Sequence, residues 1–212
     1  MSDVNVSRRY QSKTRDEAAR QTRRAVLAAA GDLFIAQGYE ATTVDQIAEH
    51  AGVSRPTVFA VGSKAQLLKL ARDIAIAGDD ELVAVADRPA FADIATATTS
   101  DDVLRSYARV SAHIGRRFGA LNEVLRERAR DPELAELWQV SENERLAGAR
   151  MVIKAVRAKG PLKPGLTPER AAEVLWLLTD VSVQRRLVVE RGWSVARFER
   201  WYADAMIDLL LP

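Results

Sequence analysis

The chain has 212 residues and no cysteine. That excludes disulfide staples, thiolate metal sites and thiol redox chemistry, and it suits a reducing compartment. Histidine is nearly absent as well. His50 and His113 stand far apart, so no transition-metal site is expected. No apolar run approaches the roughly 20 residues that a membrane helix requires. Met1 to Arg24 is polar, without the apolar core of a secretory signal. The expectation is a cytoplasmic chain with no membrane partner. A nucleophile elbow and a dinucleotide fingerprint are also missing. Gly62-Ser63-Lys64 is not a phosphate loop, because Thr57 occupies the place of the earlier glycine. Neither an enzyme nor a cofactor is expected.

Net charge is only +2, but it is unevenly placed. Residues 1–24 hold Arg8, Arg9, Lys13, Arg15, Arg20, Arg23 and Arg24 against Asp3, Asp16 and Glu17, a balance of +4 that leaves −2 for the rest. A basic arm on a mildly acidic body suits a polyanion partner met at one end. On charge alone, a disordered solvated tail suits the numbers equally well.

What is present is helix. Apolar residues recur at helical spacing nearly everywhere, and turn residues punctuate them. Asp16–Gln37 carries Val26, Ala30, Leu33 and Phe34 on one stripe and stops at Gly38. Thr43 with Gln46, and Ser63 with Gln66, form capping boxes that open two further helices, the second reaching about Ala77. Residues 86–101 read as a loop with at most one short turn of helix. Helices are predicted over Asp102–Phe118 and Leu121–Arg130, then from Asp131-Pro132-Glu133 to Gly160. Thr167-Pro168-Glu169 opens another to about Glu190, and Ser194 opens the last, to Leu210. The predicted fold is all-α: an N-terminal three-helix helix-turn-helix domain followed by a C-terminal helical bundle, about nine to ten helices in total.

Ala48, Gly52 and Val58 have the spacing of a helix-turn-helix. A small residue lets two helices approach, glycine takes the turn, and a branched residue seats the second helix, with Ile47 and Val53 completing a small core. Such a unit offers its second helix to the DNA major groove. An ordinary helical hairpin has the same spacing.

The longer run narrows the choice. Phe34, Gly38-Tyr39, Ala41-Thr42-Thr43-Val44, Ile47-Ala48, Ala51-Gly52-Val53-Ser54 and Thr57-Val58, closed by Ser63-Lys64, resemble the N-terminal signature of the TetR family of transcriptional regulators over about residues 18–70. The resemblance implies a homodimer with two recognition helices, each entering half of a palindromic double-stranded operator. It makes Ser54–Ala60 the recognition helix, capped by Ser54. Arg55 at its start can meet a guanine edge, and Pro56 with Thr57 implies contact with a thymine methyl and a neighbouring base or phosphate. Phe59 and Ala60 lie on the same helix. Thr43 and Lys64 match positions that grip phosphates, while Arg8, Arg9, Lys13 and Arg15 suit the minor groove or backbone. Two departures stand out. Phe59 replaces the usual tyrosine, and one residue, usually a bulky aromatic, is missing before Gly62. That implies a third helix shorter or more mobile than usual, with Val61 or Phe59 turned inward as a partial substitute.

Two more sites are expected beyond residue 64. Thr179 and Asp180 interrupt an apolar helix and, with Tyr107, Trp138 and Trp176, are candidates to line a pocket for a largely apolar small-molecule effector. Plain core packing explains the aromatics too. In the last helix, Val195, Phe198, Tyr202, Met206 and Leu209 form one apolar stripe, and Trp201, Ile207 and Leu211 a second. Two stripes need two partners, so Leu187, Phe198, Trp201 and Ile207 are candidates for a dimer face. Ser106, Arg109, His113 and Arg116 read as a solvated basic face. The domain reading is 1–64 for DNA binding and 65–212 for ligand binding and dimerisation. The function expected is a repressor released from its operator by the effector. The alternative is a TetR-like dimer whose impaired DNA head leaves it to act through protein–protein contacts.

Overall fold

The computed structural model describes residues 3–78 and 91–212, with side chains from residue 15 onward. Among the described residues there are ten α-helices and no strand. The helices divide into two compact units, residues 1–73 and 74–212, and the division falls inside the fourth helix.

The first unit holds α1 (Asp3–Gln37), α2 (Val44–Ala51), α3 (Arg55–Val61) and most of α4 (Lys64–Ala77). The first helix begins at Asp3 rather than Asp16, so residues expected to form an arm continue a helix. It ends where the sequence indicated. Gly38 takes a φ of +84°, and its N–H closes on the Phe34 carbonyl at 3.0 Å. Val26, Ala30, Phe34, Ile47, Val58, Leu67 and Leu68 are buried together as this unit's core. Complete burial of a side chain as large as Phe34 or Ile47 stabilises by about 1.5–3 kcal/mol.

The second unit holds α5 (Ala92–Thr96), α6 (Ser100–Glu127), α7 (Ala135–Arg157), α8 (Pro168–Leu178), α9 (Val181–Gln184) and α10 (Val195–Leu210). A π-helical stretch, Arg185–Glu190, follows α9. The sixth helix packs against α7 and α10, and α7 against α8. Two expectations change here. The two helices predicted over 102–130 are one, because Gly119 is an interior position whose absent side chain faces Val181 of α9. Conversely, the helix predicted from Thr167 to Glu190 is broken. The Thr179 hydroxyl donates to the Trp176 carbonyl at 3.2 Å, and Asp180 then caps α9 by accepting from the Ser182 N–H at 2.8 Å. Short polar side chains that bond to nearby backbone in this way compete with a continuing helix. Among the described residues, no helix is long and apolar enough to cross a membrane.

Candidate functional site

In the first unit, local chemistry aims α3 outward. Thr43, extended at the start of α2, accepts from the Gln46 N–H at 3.2 Å, and the Gln46 side chain accepts from the Thr43 N–H at 2.9 Å. The far end of α2 closes on Gly52, at φ +65°, and the Val53 N–H reaches the Ala48 carbonyl at 3.0 Å. That bond, running back five residues, is the helix stop that favours a left-handed glycine. It redirects the chain into Ser54, which caps α3 by accepting from the Thr57 N–H at 3.4 Å. Pro56 fits because the first turn needs no internal N–H donor.

The outcome is a two-faced helix. Val58 is fully buried, Thr57 is half-buried with its hydroxyl 2.8 Å from that of Ser54, and Arg55, Pro56, Phe59 and Ala60 are exposed. The Arg55 guanidinium lies 3.3 Å from the Asp45 carboxylate and 5.6 Å from the centre of the Phe59 ring. Arg15 is exposed on α1, whereas the side chains of Arg8, Arg9 and Lys13 lie outside the described residues.

Lys64 takes a position that spacing alone does not reveal. Its ammonium group donates to the carbonyls of Tyr39 at 3.0 Å and Thr42 at 3.3 Å and stands 4.2 Å from the Tyr39 ring centre. Two of its three N–H groups thus tie the start of α4 to the turn between α1 and α2. The short connection around Gly62 is closed in the same economical way. Ser63 and Gln66 cap one another, and a Cβ on Gly62 would come within 2.9 Å of the Gln66 Cβ. Of the two residues expected to turn inward, Val61 is half-buried, but Phe59 is 53% exposed.

In the second unit, Tyr107, Trp176, Thr179 and Asp180 are drawn together by a residue the sequence reading missed. Arg145 of α7 donates to the carbonyls of Trp176 at 3.0 Å and Thr179 at 3.3 Å, and its guanidinium lies 5.4 Å from the Trp176 ring centre. Glu142 at 3.4 Å and Asp180 at 4.0 Å balance its charge. Burial pushes the Tyr107 phenol up, while hydrogen bonds with Ser111 and Thr179 pull it back. The Trp176 Nε1–H and the Asn122 Oδ1 are buried without a hydrogen-bond partner among the described residues. Trp138 is half-buried two turns before Arg145 on the same helix.

The last helix corrects the expected dimer face. Phe198 is 1% exposed and belongs to this unit's own core with Tyr202 and Met206, so it has no surface to offer a second copy. Leu209 is 49% exposed, and Leu210 is buried in its place. Leu187, Trp201 and Ile207 remain half-buried at the margin of the core. The basic face around His113 changes too, because Ser106 is buried while Arg109, His113 and Arg116 are exposed.

A capped, outward-facing second helix after a glycine turn defines a helix-turn-helix protein, here joined to an all-helical second unit. Residues 26–71 match the model of the bacterial regulatory proteins of the tetR family. Over that segment the chain is similar to the DNA-binding part of TetR-family transcriptional regulators, as the sequence run from Phe34 to Lys64 implies. An uncharacterized HTH-type transcriptional regulator, YdeS of Bacillus subtilis (strain 168), is 28% identical over 167 residues, covering 77% of each chain. The fold is similar to that of SmeT in its triclosan complex (TM-score 0.68, 18% identity, 90% of this chain and 92% of that one). It is also similar to NalD, the secondary repressor of the MexAB-OprM multidrug efflux pump in Pseudomonas aeruginosa (TM-score 0.66, 23% identity, 92% and 98%).

Proposed function

We propose that this regulator is a cytoplasmic, dimeric repressor that reads a palindromic operator through α3 and releases it when a small, largely apolar effector binds. Residues 1–64 supply the DNA contacts and residues 65–212 the sensing and dimerisation. The observation that carries the DNA reading is the two-faced α3, with Val58 locked in the core and Arg55, Pro56, Phe59 and Ala60 exposed. Arg55 meets a guanine edge, Thr57 and Pro56 a thymine methyl or neighbouring phosphate, and the start of α2 at Thr43, with Ser54, adjoining phosphates. Lys64 has one N–H left for a phosphate after its two carbonyls. Arg8, Arg9, Lys13 and Arg15 add sequence-independent attraction.

The mutational test separates these roles. Arg55→Ala should relax preference at one base pair per half-site, costing roughly 1–3 kcal/mol for each bidentate contact. Deleting residues 1–15 should weaken binding to every sequence and flatten its salt dependence. If Arg55→Ala merely copies the deletion, Arg55 grips phosphate and the base-reading role fails.

The effector reading rests on the group around Arg145. A largely apolar ligand with one acceptor atom suits the unpartnered Trp176 N–H, with Tyr107, Trp138, Thr179 and Asp180 as the candidate lining. NalD is described as a repressor, and SmeT was solved with triclosan. A ligand that prefers the DNA-incompetent state shifts the population by its differential affinity for the two states. In a thermal-shift screen, small apolar acceptors should stabilise the natural chain and do so less for Trp176→Phe. Ligands that stabilise both chains equally would place the effector elsewhere.

A further inference from the structure

We propose that Asp45 is a positioning residue for base recognition: its carboxylate holds Arg55 so that one edge of the guanidinium meets a base pair in each half-site. The proposal rests on the reading of α3 as the DNA-reading helix. Asp45 lies in the first turn of α2 and Arg55 at the start of α3, on opposite sides of the glycine turn. The Arg55 Nη1 stands 3.3 Å from Asp45 Oδ1 and 3.4 Å from Oδ2. Phe59, one turn further along α3, offers its ring to the same guanidinium at 5.6 Å. The head of an otherwise solvated side chain is therefore guided by a carboxylate and by an aromatic ring.

The geometry matters because of how arginine reads guanine. Its guanidinium is a rigid planar fork, and guanine offers O6 and N7 as a matching pair of acceptors. With Nη1 directed at Asp45, the Nε and Nη2 groups form the parallel pair that remains. An arginine already held in this orientation loses less conformational freedom when it binds. Fold stability does not account for the pair. The two side chains are 59% and 68% exposed, and ion pairs so exposed contribute little. Moreover, an acid beside a DNA-facing arginine repels phosphates, which opposes indiscriminate binding.

The plainer role for Asp45 is a favourable acid near the positive end of α2. That role changes melting behaviour and leaves base preference alone. The experiment is selection from randomised DNA by the full chain, by Asp45→Ala, Asp45→Asn and Arg55→Ala, and by the Asp45→Ala/Arg55→Ala double variant. Asp45→Ala should lose preference at the same base pair as Arg55→Ala, by about three- to tenfold, a fraction of a bidentate contact. Asp45→Asn should lose less, because its amide oxygen still accepts a hydrogen bond. The double variant should be no less selective than Arg55→Ala, and binding to unrelated DNA should stay equal or tighten when Asp45 is removed. Should Asp45→Ala fold poorly, Asp45→Asn carries the comparison. An unaltered preference at that pair, or a loss at a different pair, overturns the proposal while the DNA reading stands. A natural chain that enriches no sequence removes the DNA reading and this proposal with it.

Discussion

Tyr202 is 3% exposed in the core of the second unit, and burial pushes its phenol well above the ordinary value of 10. The folded chain therefore holds this proton at a pH where the unfolded chain has released it. A group raised in this way contributes stability that is intact below pH 10 and is lost as pH climbs toward the folded value. Urea midpoints should hold steady through the weakly alkaline range and fall above pH 10. In Tyr202→Phe that fall should be shallower, though still present, since the Tyr107 phenol is also raised. An identical alkaline slope in both chains would mean that Tyr202 ionises as readily folded as unfolded. Single residues also mark how far a sequence can be read. Lys64 is visible as a cation in the right place, but its carbonyl partners come from Tyr39 and Thr42, 25 and 22 positions earlier. Only the folded chain shows that it points inward. Arg145 was legible in principle. Trp138, Glu142, Arg145, Ala149, Val152 and Val156 follow one helical stripe, and a charged pair inside a stripe that ends apolar signals a buried ion pair.

At the scale of the helix, what proved readable was chemistry between near neighbours. Thr43–Gln46, Ser63–Gln66, Thr167 and Ser194 all cap where the sequence placed helix starts. Each such bond depends on residues two or three apart, so local sequence suffices. What proved unreadable depends on distant packing. Gly119 reads as a break, yet it lies within α6 facing Val181. After Thr167 the apolar spacing resumes beyond Thr179 and Asp180, so the pattern does not reveal that these two residues break the helix or that a π-helical stretch follows. The end of α4 is another long-range case. Arg117 of α6 donates from Nε to the Ala75 carbonyl and from Nη2 to the Ile76 carbonyl, each at 3.0 Å. Terminal carbonyls of a helix have no partner within it, so such donors hold the last turn together. Arg117→Ala should fray that turn, read as faster hydrogen exchange at Ile74 to Ala77 with α6 itself still protected. Unchanged exchange there would show that the turn is held by other contacts.

For the molecule as a whole, two compact units with separate cores suit the separate tasks we propose for them, DNA reading in one and dimerisation with sensing in the other. The sequence indicated the all-helical class and the helix-turn-helix because both are written in periodicity and caps. It misassigned Phe198 because a helix with two apolar stripes does not reveal which stripe the chain covers by itself. With Phe198 in the core, the margin formed by Leu187, Trp201 and Ile207 is the surface we assign to a second copy. Palindromic recognition requires that copy, since a two-fold dimer presents its two recognition helices to two half-sites. The decisive measurement is sedimentation of the chain with the DNA it enriches from a random pool. A dimer that reads a palindrome should enrich an inverted repeat and bind it with two chains per site, with affinity falling steeply as salt rises. One chain on a site without a repeat, or a dimer that enriches no sequence at all, would contradict this.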